Sequence, residues 1–195
     1  MRQNTGKDVP LKGYAVSELE SVLHFWFEEI NPAQWWKKDA DFDREIAQRF
    51  SDLHGQAQRG ELFSWRDQPR GRLAEIILLD QFSRNLFRDE PRAFAWDGMA
   101  LLLAQEAVRT GADQALPAAE KSFMYLPFMH SESPLIHEQA VVLFSQPGLE
   151  NNRRFEYRHK EIIDRFGRYP HRNAVLGRES TDEEIEFLKQ PGSGF

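Results

Sequence analysis

The chain has 195 residues, of which 41% are hydrophobic and 29% charged, with no cysteine and a formal net charge of −6. That length suits one hydrophobic core and is short for two domains, and the apolar content is too high for a disordered chain. The missing cysteines exclude disulfides, thiolate metal sites and cysteine nucleophiles, and the acidic balance argues against a general nucleic-acid binder.

Helical spacing dominates, and no period-two alternation extends beyond a few residues. The first helix is expected to open at Ser17, with Glu20 reaching back in a capping box and Leu19, Val22, Leu23 and Phe27 in its body; Asn31-Pro32 stops it. A second begins near Asp39, carries Phe42, Ile46, Phe50, Leu53 and Ala57 on one face, and ends at Gly60. Between them Trp35-Trp36 beside Lys37-Lys38 is either a packed helix junction or a contact surface. The third helix opens after Pro69. At 100° per residue, Ile76, Ile77, Asp80, Arg84 and Phe87 fall within about 60° of Leu73, while Leu78, Leu79 and Phe82 cover the other sides. A helix apolar all round is a central one, which places Asp80 and Arg84 where water is scarce.

Further helices follow over about 96–109, from Pro117 to about Tyr125, and from Pro134 to Pro147-Gly148. One from Asn151 or Asn152 to Phe166 closes at Gly167, and the last runs from Ser180 or Thr181 to Lys189. The expected architecture is therefore all-α, with about eight antiparallel helices in a single domain over 1–195 and loose tails at 1–15 and 191–195. The beginning of the chain lacks the apolar centre of a signal peptide, and its longest purely apolar run, 99–104, is far too short to span a bilayer. A cytoplasmic protein without membrane contact is expected.

Three segments carry chemistry. In the first, Asp80 and Arg84 stand four residues apart beside Gln81 and Asn85, close enough to pair; they form either a structural ion pair or one wall of a ligand pocket. In the second, Pro127-Phe128-Met129-His130-Ser131-Glu132 reads as a loop in which His130 and Glu132 supply a base and a carboxylate, or else cap neighbouring helices. His137-Glu138 follows, but Val141 stands where a zincin would need its second histidine, so His137 reads as a packed core residue. In the third, His159 falls inside the Phe155, Ile162 and Phe166 stripe, and Arg168, His171, Arg172 and Asn173 share a stiff loop after Gly167. Arginine's planar fork suits carboxylate and phosphate, which makes that loop the best anion-binding candidate; alternatively it buckles the last helix to the bundle. Residues 151–178 hold eight basic side chains against three acidic ones, an excess of five positive charges, so the rest of the chain carries −11. Such a stretch either faces an anion or pairs internally.

Taken together, His24-Phe25-Trp26-Phe27, the segment 79–85, the segment 127–132 and the segment 165–173, followed by Leu176-Gly177-Arg178 and Thr181-Asp182-Glu183-Glu184, resemble a bacterial family of unknown function, number 924 among such domains. The resemblance runs from about Val22 to Leu188. It implies an all-helical, tetratricopeptide-like superhelix, although the repeat consensus itself is not readable here, and it implies no activity.

Two functional readings follow. One is a binding module whose groove, lined by Asp80, Arg84, His130 and the 168–173 loop, takes a small anion or an acidic peptide. The other is a hydrolase of a phosphorylated or acylated small molecule, with His130 or His171 as acid or base, Asp80 as orienting carboxylate and arginines as clamps. Neither reading requires a metal or another cofactor, since the histidines and acids lack ligand spacing and no glycine-rich phosphate loop is present. Nothing in the residues bears on the oligomeric state.

Overall fold

The computed structural model describes residues 17–194. The expected tail over 1–15 lies outside the described residues, as does Phe195 at the end of the expected 191–195 tail. Among the described residues all regular structure is helical, in eight helices joined by short connections and 3₁₀ turns. Helix α1 is Glu18–His24, extended by a π-helical turn, Phe25–Glu29. Helix α2 is Ala40–Gln58. Helix α3 is built of Pro69–Ile77, a π-helical turn Leu78–Phe82, and Ser83–Leu86. Then come α4 (Asp97–Arg109), α5 (Ala118–Met129), α6 (Pro134–Leu143), α7 (Glu150–Phe166) and α8 (Asp182–Leu188).

Local chemistry accounts for the boundaries. The Ser17 hydroxyl accepts from Glu20 N, and Thr181 and Glu184 form a reciprocal capping box at the start of α8. Gly167 ends α7 at φ 68°, a conformation in which a Cβ would crowd the backbone.

The all-round apolar pattern of α3 corresponds to a central position. Leu73 and every residue from Ala74 to Ser83 are buried, and α1, α2, α4 and α5 pack around them. From there each helix packs on the next: α4 on α5, α5 on α6 and α6 on α7. An aromatic cluster fills the α1–α2–α3 junction, with Phe50 5.1 Å and Trp26 5.3 Å from Phe82 between ring centres. Trp35 packs against Phe123 at 4.8 Å, whereas its neighbour Trp36 stays 65% exposed, so the tryptophan pair is split between core and surface.

Two local features depart from the expectation. The π turn adds a residue to the helical repeat of α3, so positions beyond it no longer follow 100° per residue. And α5 does not stop near Tyr125; it continues through Pro127 to Met129. Proline has no N–H to offer the carbonyl of Phe123, but the turn around it is buried against the core, and packing outweighs the lost bond.

Gly71 sits where α3 crosses the 3₁₀ turn Phe63–Asp67, and a Cβ there would lie 2.0 Å from the Trp65 carbonyl oxygen. Gly71→Ala should therefore cost about 3 kcal/mol in urea unfolding. Gly98→Ala, where a Cβ meets nothing within 4 Å, should stabilise or leave stability unchanged. Equal midpoints for the two variants would contradict this packing.

Candidate functional site

The π turn of α3 and the C-terminal end of α5 meet at one buried carboxylate. Asp80 is fully buried; its Oδ1 lies 2.8 Å from His130 Nδ1 and its Oδ2 accepts from Gln81 Nε2 at 2.5 Å. Burial alone would raise the Asp80 pKa, but the Arg84 charge and the hydrogen bonds from His130 and Gln81, joined by the charge of the His130 ring whenever it is protonated, outweigh it and hold the carboxyl below the usual range. Burial lowers the pKa of His130, and the Arg84 charge adds to that, against the pull of Asp80. The consistent state is a neutral imidazole whose Nδ1–H donates to an ionised Asp80. Nε2 then carries the lone pair. It has no hydrogen-bond partner among the described residues, and His130 lines an open cleft.

That cleft has a volume of about 310 Å³. It lies between the 3₁₀ turn Pro91–Phe94, the first turn of α4, the residues after α5 and the 3₁₀ turn Pro170–Arg172. Asp97, His130, Glu132 and Arg172 contribute its polar wall. Asp97 accepts two bonds from Arg84, both at 3.0 Å, and faces Arg172 Nη1 at 3.4 Å. Arg84 also donates to the Asp80 backbone carbonyl at 2.5 Å and lies 3.4 Å from its carboxylate. A larger depression of about 460 Å³ over Val108, Phe128, Leu135 and Val142 is edged by Gln105, Arg109, Glu138 and Gln139 and is lined by no histidine.

Deeper groups hold this wall in place. Tyr169 donates its hydroxyl to the Met129 carbonyl at 2.5 Å, pinning the end of α5 just before His130. His137 is a packed core histidine, bonded to Glu156 at 2.7 Å and to the Ser131 carbonyl at 2.8 Å. Burial raises the pKa of Glu156 despite that contact.

The structure thus brings Asp80, Gln81, Arg84, His130, Glu132 and Arg172 to one place. The other expected site residues go elsewhere. Asn85 joins Arg88 on Asp43, at 2.8 Å and 2.6 Å. Arg168 grips Glu184 through two bonds, at 2.6 and 2.8 Å, and Asn173 bonds Ser180 and the same carboxylate. These form the buckle that holds α8. His159 bonds the Phe155 carbonyl at 2.8 Å and packs on Tyr169, and His171 packs on the same ring. Most of the basic excess is consumed internally: Lys160 on Glu138, Arg165 on Glu183 and Arg178 on Glu132.

Asp97 and Phe94 were not readable as site residues. An acid in the first turn of a helix is ordinary dipole chemistry, and a lone phenylalanine beside a proline turn carries no signal. Among the described residues, no three histidine, aspartate or glutamate side chains cluster as metal ligands would, and no helix is long and apolar enough to cross a membrane.

Residues 22–192 match a family described as a bacterial protein of unknown function, DUF924, which bears out the resemblance carried by the motifs. The solved structure of the protein of unknown function ATU0120 from Agrobacterium tumefaciens is similar to this chain, with a TM-score of 0.83 and 39% sequence identity, covering 88% of this chain and 96% of that one. No curated protein matches the chain.

Burial lowers the pKa of His54 to about 4 and that of His159 to about 3, and that of His171 to about 4 with help from the Arg172 charge. Each of these folded-state values lies below that of the unfolded chain, so the unfolded state takes up more protons between them. Stability is therefore complete above about pH 6.5 and should be lost as pH falls from there towards 4, by about 1.4 kcal/mol per pH unit for each such histidine. Urea unfolding between pH 6.5 and 5.5 stays above the range where Glu184, lowered to about 2 chiefly by its bond from Arg168, begins to contribute, and reports chiefly on the histidines, with Glu156, raised by burial, acting in the opposite sense. A flat profile there would mean that they are not held neutral.

Proposed function

The chain belongs to the bacterial family DUF924, whose description assigns no function, and from its own cleft we propose that it is a hydrolytic enzyme in which His130 acts as general base on a small substrate. The observation that carries this reading is the Asp80–His130 pair at the edge of the cleft, with no partner for His130 Nε2 among the described residues. A base must be neutral at working pH, oriented, and within reach of its proton. Burial keeps His130 neutral, Asp80 sets its tautomer, and the cleft provides the access. A volume of about 310 Å³ is small-molecule sized, at the lower end of the usual range of about 300 to 1,000 Å³.

Among the described residues the His130 ring bonds no serine or threonine hydroxyl, and in this reading water is the nucleophile. Nε2 takes one proton from that water while its oxygen adds to an acyl carbon or a phosphorus atom. The bond to the leaving group then breaks, and the leaving group receives the same proton from His130. Asp80 never reaches the cleft and acts through the imidazole, as a positioning residue. Arg172 faces the place where negative charge accumulates. A binding module for a small anion or acidic peptide would use the same wall without turnover, and the test separates the two.

Wild type and His130→Gln are compared on a panel of generic phosphatase, esterase and peptidase substrates. Turnover of one class, reduced by about 10² to 10⁴ in the variant, is expected. Asp80→Asn should lower kcat with little change in KM and abolish the low-field Nδ1–H proton resonance of His130. Identical rates in wild type and His130→Gln would remove the base.

A further inference from the structure

Arg172 is an unusual arginine for this molecule. Its side chain is only 8% exposed, yet it lines the cleft. Phe94 lies at 4.7 Å and Tyr169 at 4.6 Å from its guanidinium carbon, each beneath it as a π face. Two such ring contacts restrain the plane of the guanidinium and leave its edges as the hydrogen-bonding surface. Those edges are underused. Nη2 donates to the His130 carbonyl at 3.0 Å, Nη1 reaches Asp97 at 3.4 Å, and the buried Nε has no hydrogen-bond partner among the described residues. An unmatched buried guanidinium donor costs more than a neutral one, so a persistent gap of this kind points to a missing acceptor.

The neighbouring charges do not fill that role. Arg84 has two carboxylates, Asp97 at 3.0 Å and Asp80 at 3.4 Å, whereas among the described residues Arg172 has only a distant share of Asp97. Glu132, on the same wall, is occupied by Arg178 at 2.7 and 2.9 Å and by the Tyr169 N–H at 2.7 Å. Opposite stands the first turn of α4, a helix of 13 residues whose N-cap, Trp96, supplies no side-chain acceptor to its open N–H groups. Gly98 in that turn lines the cleft and has open space around its Cβ position. The positive end of a helix and a restrained guanidinium edge on one cleft suit a compact oxyanion, with the Asp97 carboxylate at its side already held by Arg84.

We infer that the ligand of this cleft carries a carboxylate or phosphate group, seated between Arg172 and the N-terminal turn of α4 within reach of His130. This deepens the hydrolase reading and rests on it for the identity of the cleft, but the seat is measured by binding alone. A substrate so held presents its anionic group to Arg172 and its scissile bond to the water beside Nε2.

The test uses the full chain with inorganic phosphate, acetate and neutral acetamide as probes, each against chloride at equal ionic strength. Phosphate or acetate, or both, should raise the unfolding temperature in a saturable way, and the stronger of the two identifies the group; acetamide should not. Arg172 also braces the fold, so the decisive variant is Gly98→Asp, which places a negative charge in the seat at a position with room for it. Its affinity for the anion should fall at least tenfold, while Gly98→Asn, of the same size without the charge, retains most of it. His130→Gln should keep anion binding whatever becomes of turnover, so loss of the base role and loss of the seat are distinguishable. Stabilisation by neither anion beyond chloride, or an equal effect in wild type and Gly98→Asp, overturns the inference.

Discussion

A carboxylate inside the central helix of a bundle has to be answered on every side, and the answers given to Asp80 organise this molecule. An ionised group removed from water without partners would cost several kcal/mol. Here the π turn of α3 sets Asp80 against His130 from the end of α5, Gln81 from the same turn and Arg84 one turn later. The contact with His130 joins two helices that are distant in sequence, and it decides which imidazole nitrogen turns outward. Without it the cleft would hold no oriented imidazole.

Arg84 passes the same constraint outward. Because it is shared by Asp80 and Asp97, the start of α4 is held to α3, and Asp97 in turn positions the edge of Arg172. Tyr169 works from below: its ring restrains Arg172 and its hydroxyl ties down the last carbonyl of α5. The Glu132–Arg178 and Arg168–Glu184 pairs close the C-terminal segment over these groups. The polar residues thus divide by depth: those that fasten α8 have their hydrogen-bonding capacity satisfied within the protein, and those at the cleft retain an unused nitrogen on His130 and on Arg172.

The ordering of helices was legible along the chain because caps and apolar spacing are local properties. Ser17, Thr181 and Gly167 act where their chemistry predicts, and α3 is central because its apolar residues leave no polar face. Readability failed where a local rule met packing. Pro127 reads as a helix stop, and the buried turn around it overrides that preference. The π turn has no spacing signature, since the extra residue is imposed by the fit of α3 among four neighbours.

For the site, residue types were readable and partnerships were not. Asp80, Arg84, His130 and Arg172 stand out as polar groups in apolar or stiff surroundings, which is a property of sequence alone. So the sequence by itself determined an all-helical chain, its eight helical segments and a short inventory of chemistry-bearing residues. Only the tertiary structure decided that His130 meets Asp80 across 50 positions of chain, that Arg172 rather than Arg168 lines the cleft, and that Asp97 belongs with them. The physical reason is range: helix propensity and capping act over a few residues, whereas the pairing of buried charges depends on which helix ends packing brings within hydrogen-bond distance.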